Sequence, residues 1–152
     1  GLGITVHAGE VGDGSGVMEA IVKLGADRIG HGIQIAARPD LVERVIEAGI
    51  TLEVCPTSNL HTRAVASLEQ HPIRRLFDMG VSISLGDDDP TTSGITISSE
   101  FELLAEVFHF TADEIVQIVL NGARAAFLPE EQKKQLTAEL LGKLDAWRES
   151  QS

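Results

Sequence analysis

Short apolar runs of strand length alternate with longer stretches that carry apolar residues at helical spacing. The strand-like runs cover 4–7, 28–31, 50–55 and 81–85. Between them the pattern predicts helices over 16–24, 39–48 and 72–79. Two of these open on a proline, Pro39 and Pro72, whose missing N–H costs nothing at the first helical position. All three stop before a glycine, Gly25, Gly49 and Gly80, which can take the left-handed conformation that closes a helix. The next strand run follows soon after each one. Strand–helix–strand spacing of this kind implies parallel strands with covered faces.

Beyond Leu85 the pattern turns helical. Ser99 with Glu102 and Thr111 with Glu114 fit the capping-box spacing and predict helices over 100–109 and 112–127. A last helix is expected after Pro129, where Leu136, Leu140, Leu144 and Trp147 make one apolar stripe. Four such strands fit either a small doubly wound sheet or half of an eight-stranded barrel, and the pattern alone does not choose. At 152 residues, with no linker or low-complexity stretch, residues 1–152 read as a single domain. The chain opens without Met and enters a strand-like run almost at once, so an upstream portion is expected to be missing and the domain to be partial.

Composition changes this picture little, but charge narrows the partners. The formal net charge is −11, which repels phosphate backbones and makes nucleic acid and anionic membranes poor partners. No apolar run is long enough to span a bilayer. A single cysteine, Cys55, excludes an internal disulfide and fits a cytoplasmic location. Cys55 reads as a small buried hydrophobe, Met18 and Met79 as packing residues, and His61, His71 and His109 as surface groups.

The chemistry-bearing residues cluster by position. His7 ends the first strand run in His7-Ala8-Gly9-Glu10, and His31 ends the second in Arg28-Ile29-Gly30-His31-Gly32. Cys55-Pro56-Thr57-Ser58-Asn59 ends the third and Gly86-Asp87-Asp88-Asp89-Pro90 the fourth. In parallel α/β folds the C-terminal strand ends are where sites are built. A lone strand-end histidine is more often structural, and acids before a proline are usually a solvated turn. Four strand ends carrying such groups at once point to a site. Histidine and aspartate suit zinc, which binds nitrogen at ~2.0–2.1 Å and oxygen at ~2.0–2.2 Å. Glu10, three residues past His7, is spaced for proton transfer, and His31 could take or hold a proton of an attacking water. Three adjacent acids would be relieved by a nearby dication.

Taken together, these four motifs closely resemble the adenosine deaminase family over about residues 1–145, including Phe127-Leu128-Pro129 before the last helix. The resemblance implies a TIM (β/α)8 barrel, of which this chain would be the C-terminal half: four parallel strands, numbers five to eight, with outer and C-terminal helices. It implies one Zn2+ per complete site, with His7 and Asp88 as metal ligands. Glu10 would protonate purine N1, His31 would activate or orient the attacking water, Asp89 would hydrogen-bond purine N7, and Gly9 would line the substrate site. The implied reaction is hydrolytic deamination of adenosine to inosine and ammonia, with a small purine nucleoside as partner.

This sequence departs from the family pattern in having Gly86-Asp87 before the acid pair, where the family has Asn followed by Thr or Ser. It also contains no His-x-His, the motif that supplies two further zinc ligands in the family. Alternatives therefore stay open: a deaminase of adenine, aminodeoxyfutalosine or AMP, another metal-dependent barrel hydrolase, or a non-catalytic barrel fragment. For the chain by itself the expectation is self-association, or pairing with an N-terminal half that carries the His-x-His strand.

Overall fold

A computed structural model describes residues 2–150, with side chains through residue 146. Four parallel strands, β1 (Thr5–Ala8), β2 (Arg28–His31), β3 (Thr51–Val54) and β4 (Ser82–Leu85), form one sheet in the order β1-β2-β3-β4. His7 lies opposite Gly30, Ala8 opposite His31, and Val54 opposite Leu85. A doubly wound sheet reverses its strand order at a switch point. Strictly sequential order is that of a barrel arc, so the structure makes the choice the pattern left open.

Alternation along the strands gives the sheet two unlike faces. Ile29, Leu52 and Ile83 point to one face and are fully buried. Burial of each such side chain contributes ~1.5–3 kcal/mol, which fixes the register against a one-residue slip. The other face carries Thr5, His7, Arg28, Thr51, Glu53, Ser82 and Ser84. Its polar groups meet across the strands. Thr5 Oγ1 donates to Glu53 Oε2 at 2.5 Å, Arg28 Nε lies 3.3 Å from Glu53 Oε1, and the hydroxyls of Thr51 and Ser82 are 2.9 Å apart.

The helices that cover the apolar face follow the sequence pattern closely. Helix α1 (Gly16–Leu24) runs into Gly25 at φ 64°, α2 (Pro39–Glu47) is followed by Gly49 at φ 66°, and α4 (Ile73–Asp78) by Gly80 at φ 87°. Two short helices escape the sequence pattern. They are α3 (Pro56–His61), which opens on a proline just past β3, and α5 (Pro90–Ser93), which does so beyond β4. Met18, Met79 and Cys55 pack as expected, the methionines against the core and Cys55 buried.

The expected 100–109 helix is displaced. Helix α6 spans Ile97–Glu106, because Thr96 rather than Ser99 is its cap. The Ser99 N–H donates to Thr96 Oγ1 at 3.2 Å and the Thr96 N–H donates to Ser99 Oγ at 3.1 Å. The second capping box holds: the Thr111 N–H donates to Glu114 Oε2 at 2.8 Å and opens α7 (Ala112–Ala125). Helix α7 ends short of Phe127, whose ring turns back beneath the Arg28 guanidinium, 3.8 Å away. Helix α8 (Glu130–Ser150) packs on α7 with Leu136, Leu140 and Leu144 half-buried, whereas the Trp147 side chain lies outside the described residues. No helix among the described residues is long and apolar enough to cross a membrane.

Candidate active site

The C-terminal strand ends converge on a cavity of about 190 Å³ bordered by His7, His31, Cys55, Asp87 and Asp88. His7 stands on the polar sheet face, with its ring over Gly30. A methyl group at residue 30 would lie 2.6 Å from His7 Cδ2, so the glycine makes room for the imidazole. His31 shares the parity of Ile29, and strict alternation would send it under the helices. Its φ of 65° breaks that alternation, and its ring meets His7 edge-on at 4.9 Å. Asp88 is left-handed too, at φ 57°. His and Asp tolerate this region better than most residues, yet each such residue costs of order 1–3 kcal/mol. Strain at two of the four strand ends brings one ligand atom from each of His7, His31 and Asp88 within 4.8 Å of one another.

Helix α3 supplies the support. Its opening turn is anchored on α6, where the Thr57 N–H donates to Glu100 Oε2 at 3.1 Å and the Thr57 hydroxyl donates to Oε1 of the same buried carboxylate. One residue on, Ser58 Oγ donates to Asp88 Oδ2 at 2.7 Å. Asn59 Nδ2 and Thr62 Oγ1 both donate to Glu10 Oε1, at 3.2 and 2.7 Å. Glu10 Oε2 is left 3.7 Å from His31 Nε2. Gln34 Nε2 fixes the Glu10 main chain by donating to its carbonyl oxygen at 3.2 Å. Gly9, at φ 65°, makes the turn between His7 and Glu10, where a Cβ would strike Val17 Cγ2 at 2.5 Å.

The three consecutive acids do not act as one cluster. Asp88 faces the histidine pair. Asp89 is exposed and caps α5, accepting the Thr92 N–H at 3.1 Å, and its bonds to Thr92 hold the carboxyl below its ordinary range. Burial, reinforced by Asp88 and Glu100, pushes the Cys55 thiol up to about 12, so it stays protonated and unreactive at neutral pH.

Thr62 and His71 escape the sequence pattern, and Ser58 and Asn59, which it places in the motif at the end of the third strand, gain their individual roles only from the structure. The proline just past β3 was the available signal, since it starts a helix whose first turns lie under the strand end. His71 corrects an expectation. It is buried, 5% exposed, and not a surface group. A histidine in a loop before a proline has no periodicity to reveal its burial. His61 and His109 are exposed as expected. A larger cavity, about 800 Å³, lies at the opposite end of the strands, near Gly3, Thr51, Ser82 and Phe127. The donor groups and the strained backbone, not the volume, identify the chemical end.

Fold and site together define a parallel β/α barrel arc that gathers two imidazoles and a carboxylate at its C-terminal rim, beside a second, hydrogen-bonded carboxylate. The adenosine deaminase family model matches residues 1–143, and the chain belongs to that family. It is 41% identical over 140 residues to an adenosine deaminase of Clostridium acetobutylicum, covering 92% of this chain and 42% of that protein. It is also 41% identical over 138 residues to the adenosine deaminase of Shewanella loihica, at 91% and 42% coverage. Among solved structures it resembles adenine deaminase from Arthrobacter aurescens, with TM-score 0.86, 33% identity, and 95% and 43% of the two chains covered. A Burkholderia ambifaria amidohydrolase with bound Zn superposes at TM-score 0.88 and 30% identity, covering 96% and 41%. The chain thus spans about 42% of the length of the curated relatives it matches.

Proposed function

We propose that this chain forms the C-terminal half of the active site of a zinc-dependent purine deaminase, with adenosine as substrate. The carrying observation is the convergence of His7, His31 and Asp88 beside the Glu10 carboxylate. The imidazole of His7 and the carboxylate of Asp88 suit zinc rather than calcium or magnesium, which prefer oxygen alone. His7 and Asp88 would hold the metal. A catalytic zinc takes three or more protein ligands, so the remainder would come from barrel strands beyond these four. Zinc, when bound, supplies the Lewis acidity that brings ionisation of water near neutral pH.

The chain's own residues carry the proton movements. Glu10 has Oε1 tied by Thr62 and Asn59, which leaves Oε2 to deliver a proton to purine N1 and make C6 electrophilic. His31 orients the water that attacks C6 by donating a hydrogen bond from Nε2 to its oxygen. The new C6–O bond replaces the C6–N bond: one proton of the water leaves with the amino group as ammonia, and the other returns to Glu10. Ser58 orients Asp88 through Oδ2. Asp89 would hydrogen-bond purine N7; both are acceptors, so the bond needs Asp89 to gain a proton as the purine binds, against the Thr92 bonds that favour its ionised form. Gly9 lets the main chain approach the substrate without a side chain in the way.

The curated relatives named adenosine deaminase support adenosine, while the adenine deaminase structure supports adenine as a second reading. The test is ammonia release by the complete protein carrying this segment on adenosine, adenine, AMP and aminodeoxyfutalosine, with metal analysis alongside. Adenosine should have the highest kcat/KM. Release from none of the four would refute the reading.

A further inference from the structure

His71 is a buried titratable side chain close to the site that the mechanism above does not use, and its bonding is fully specified. Burial pushes it down to about 4, so its ring is neutral at pH 7 and carries one proton. The Ile73 N–H donates to His71 Nδ1 at 3.1 Å, so that proton sits on Nε2. Nε2 lies 3.1 Å from Asn59 Oδ1 and donates to it. The ring is held in place against Phe108, with centroids 5.6 Å apart.

This bond fixes the amide of Asn59, which is fully buried. The reversed amide would turn its N–H groups toward the His71 N–H and its oxygen toward Glu10 Oε1, two repulsive contacts. In the single consistent orientation, Nδ2 has two protons and two acceptors, Glu10 Oε1 at 3.2 Å and His31 Nδ1 at 3.1 Å. His31 Nδ1 is therefore an acceptor. The proton of a neutral His31 ring then sits on Nε2, the nitrogen that faces Glu10 Oε2.

We propose that His71 and Asn59 are positioning residues that lock His31 as its Nε2–H tautomer while holding Glu10 Oε1, so that His31 enters the site as a hydrogen-bond donor and not as a metal ligand. This rests on the deaminase reading for its consequence, but the tautomer itself does not. It divides the three-residue cluster into two ligands, His7 and Asp88, and one proton-bearing ring. A neutral imidazole protonated on Nε2 has no lone pair there for a metal, but it can bond an attacking oxygen.

The direct test is 15N-edited NMR of histidine-labelled protein at neutral pH. Both His31 and His71 should report a protonated Nε2 and an unprotonated Nδ1. Asn59→Asp puts an acceptor against Nδ1 and should turn His31 to the Nδ1–H form. His71→Leu should leave His31 in a mixture of tautomers, and His71→Gln, whose amide can still donate, should restore one. In the complete enzyme His71→Leu should lower kcat ~10–100-fold with KM and zinc content little changed, and His71→Gln should recover most of it. A His31 protonated on Nδ1 in the unmodified protein would overturn the proposal whatever the variants do. So would a His31 tautomer indifferent to Asn59→Asp. If the tautomers are as stated but no purine is deaminated, the relay stands and the deaminase reading fails.

Discussion

The two ends of the same four strands are built on opposite terms. At the N-terminal end the backbone is ordinary and the polar groups pair for stability: the Ile4 N–H donates to Asp27 Oδ2 at 2.8 Å, and Arg28 stacks on Phe127 while donating to the Ala125 carbonyl at 3.3 Å. At the C-terminal end His31 and Asp88 are left-handed, and His7, Asp88 and Asp89 are exposed. The end with the larger cavity has the relaxed backbone, and the end with the smaller one has the strain. Strain survives only where the surroundings over-determine it, and it gathers where groups must be held for chemistry. Substitutions at the two ends should therefore separate activity from stability.

The largest separation is expected at Glu10. Glu10→Gln in the complete enzyme should lower turnover ~10²–10⁴-fold, the usual worth of a positioned general acid, with zinc content and melting temperature unchanged. Steady-state ammonia release and metal analysis check it, and a loss below about threefold would remove Glu10 from the mechanism.

Next come the adjacent acids. Asp88→Ala should release zinc, whereas Asp89→Ala should leave it bound and damage purine binding and rate. Equal zinc loss in both would mean that the roles within the triplet are misassigned.

His71, bonded to Asn59 behind the C-terminal end, should show in stability against pH. Its folded value, about 4, lies below the ordinary 6.5, so the unfolded chain binds more protons between those limits. Stability is complete above about pH 6.5 and falls as pH drops toward 4, by roughly 3 kcal/mol in all. Urea unfolding across that window, with His71→Gln as the flattened control, measures it.

The smallest effect belongs to the relaxed end. Phe127→Ala removes the stacking partner of Arg28 and should cost ~1 kcal/mol of stability without changing zinc affinity. A loss of zinc binding there would erase the distinction between the ends.

How much of this was legible in the sequence follows the same division. The strands, the stop glycines and the strand-end positions of His7, His31 and Asp88 were readable, because periodicity and punctuation are local signals. The start of α6 was not, since Thr96 and Ser99 both offer a cap and the Thr96 box uses a serine at the position where Glu or Gln is the recognised signature. Helix α3 was hidden because its six residues are too few to show a period. The burial of His71 and the orientation of Asn59 depend on contacts between segments, which no local pattern encodes. The four-strand pattern by itself is common to an open sheet and a barrel arc; the family resemblance implied the barrel, and the sequential strand order agrees with it.

On the proposed function, these four strands carry part of a metal site that other barrel strands complete. A closed barrel has no sheet edges, whereas β1 and β4 here each end the sheet on one side. The most direct measurement is ammonia release from adenosine by the purified 152-residue chain, with zinc content and light scattering, before and after mixing with an N-terminal half-barrel carrying the His-x-His strand. The chain alone should show no activity, weak zinc binding and self-association, and mixing should give partial activity. A monomer that deaminates adenosine with stoichiometric zinc on its own would contradict that expectation, and would mean that residues within this chain complete the site.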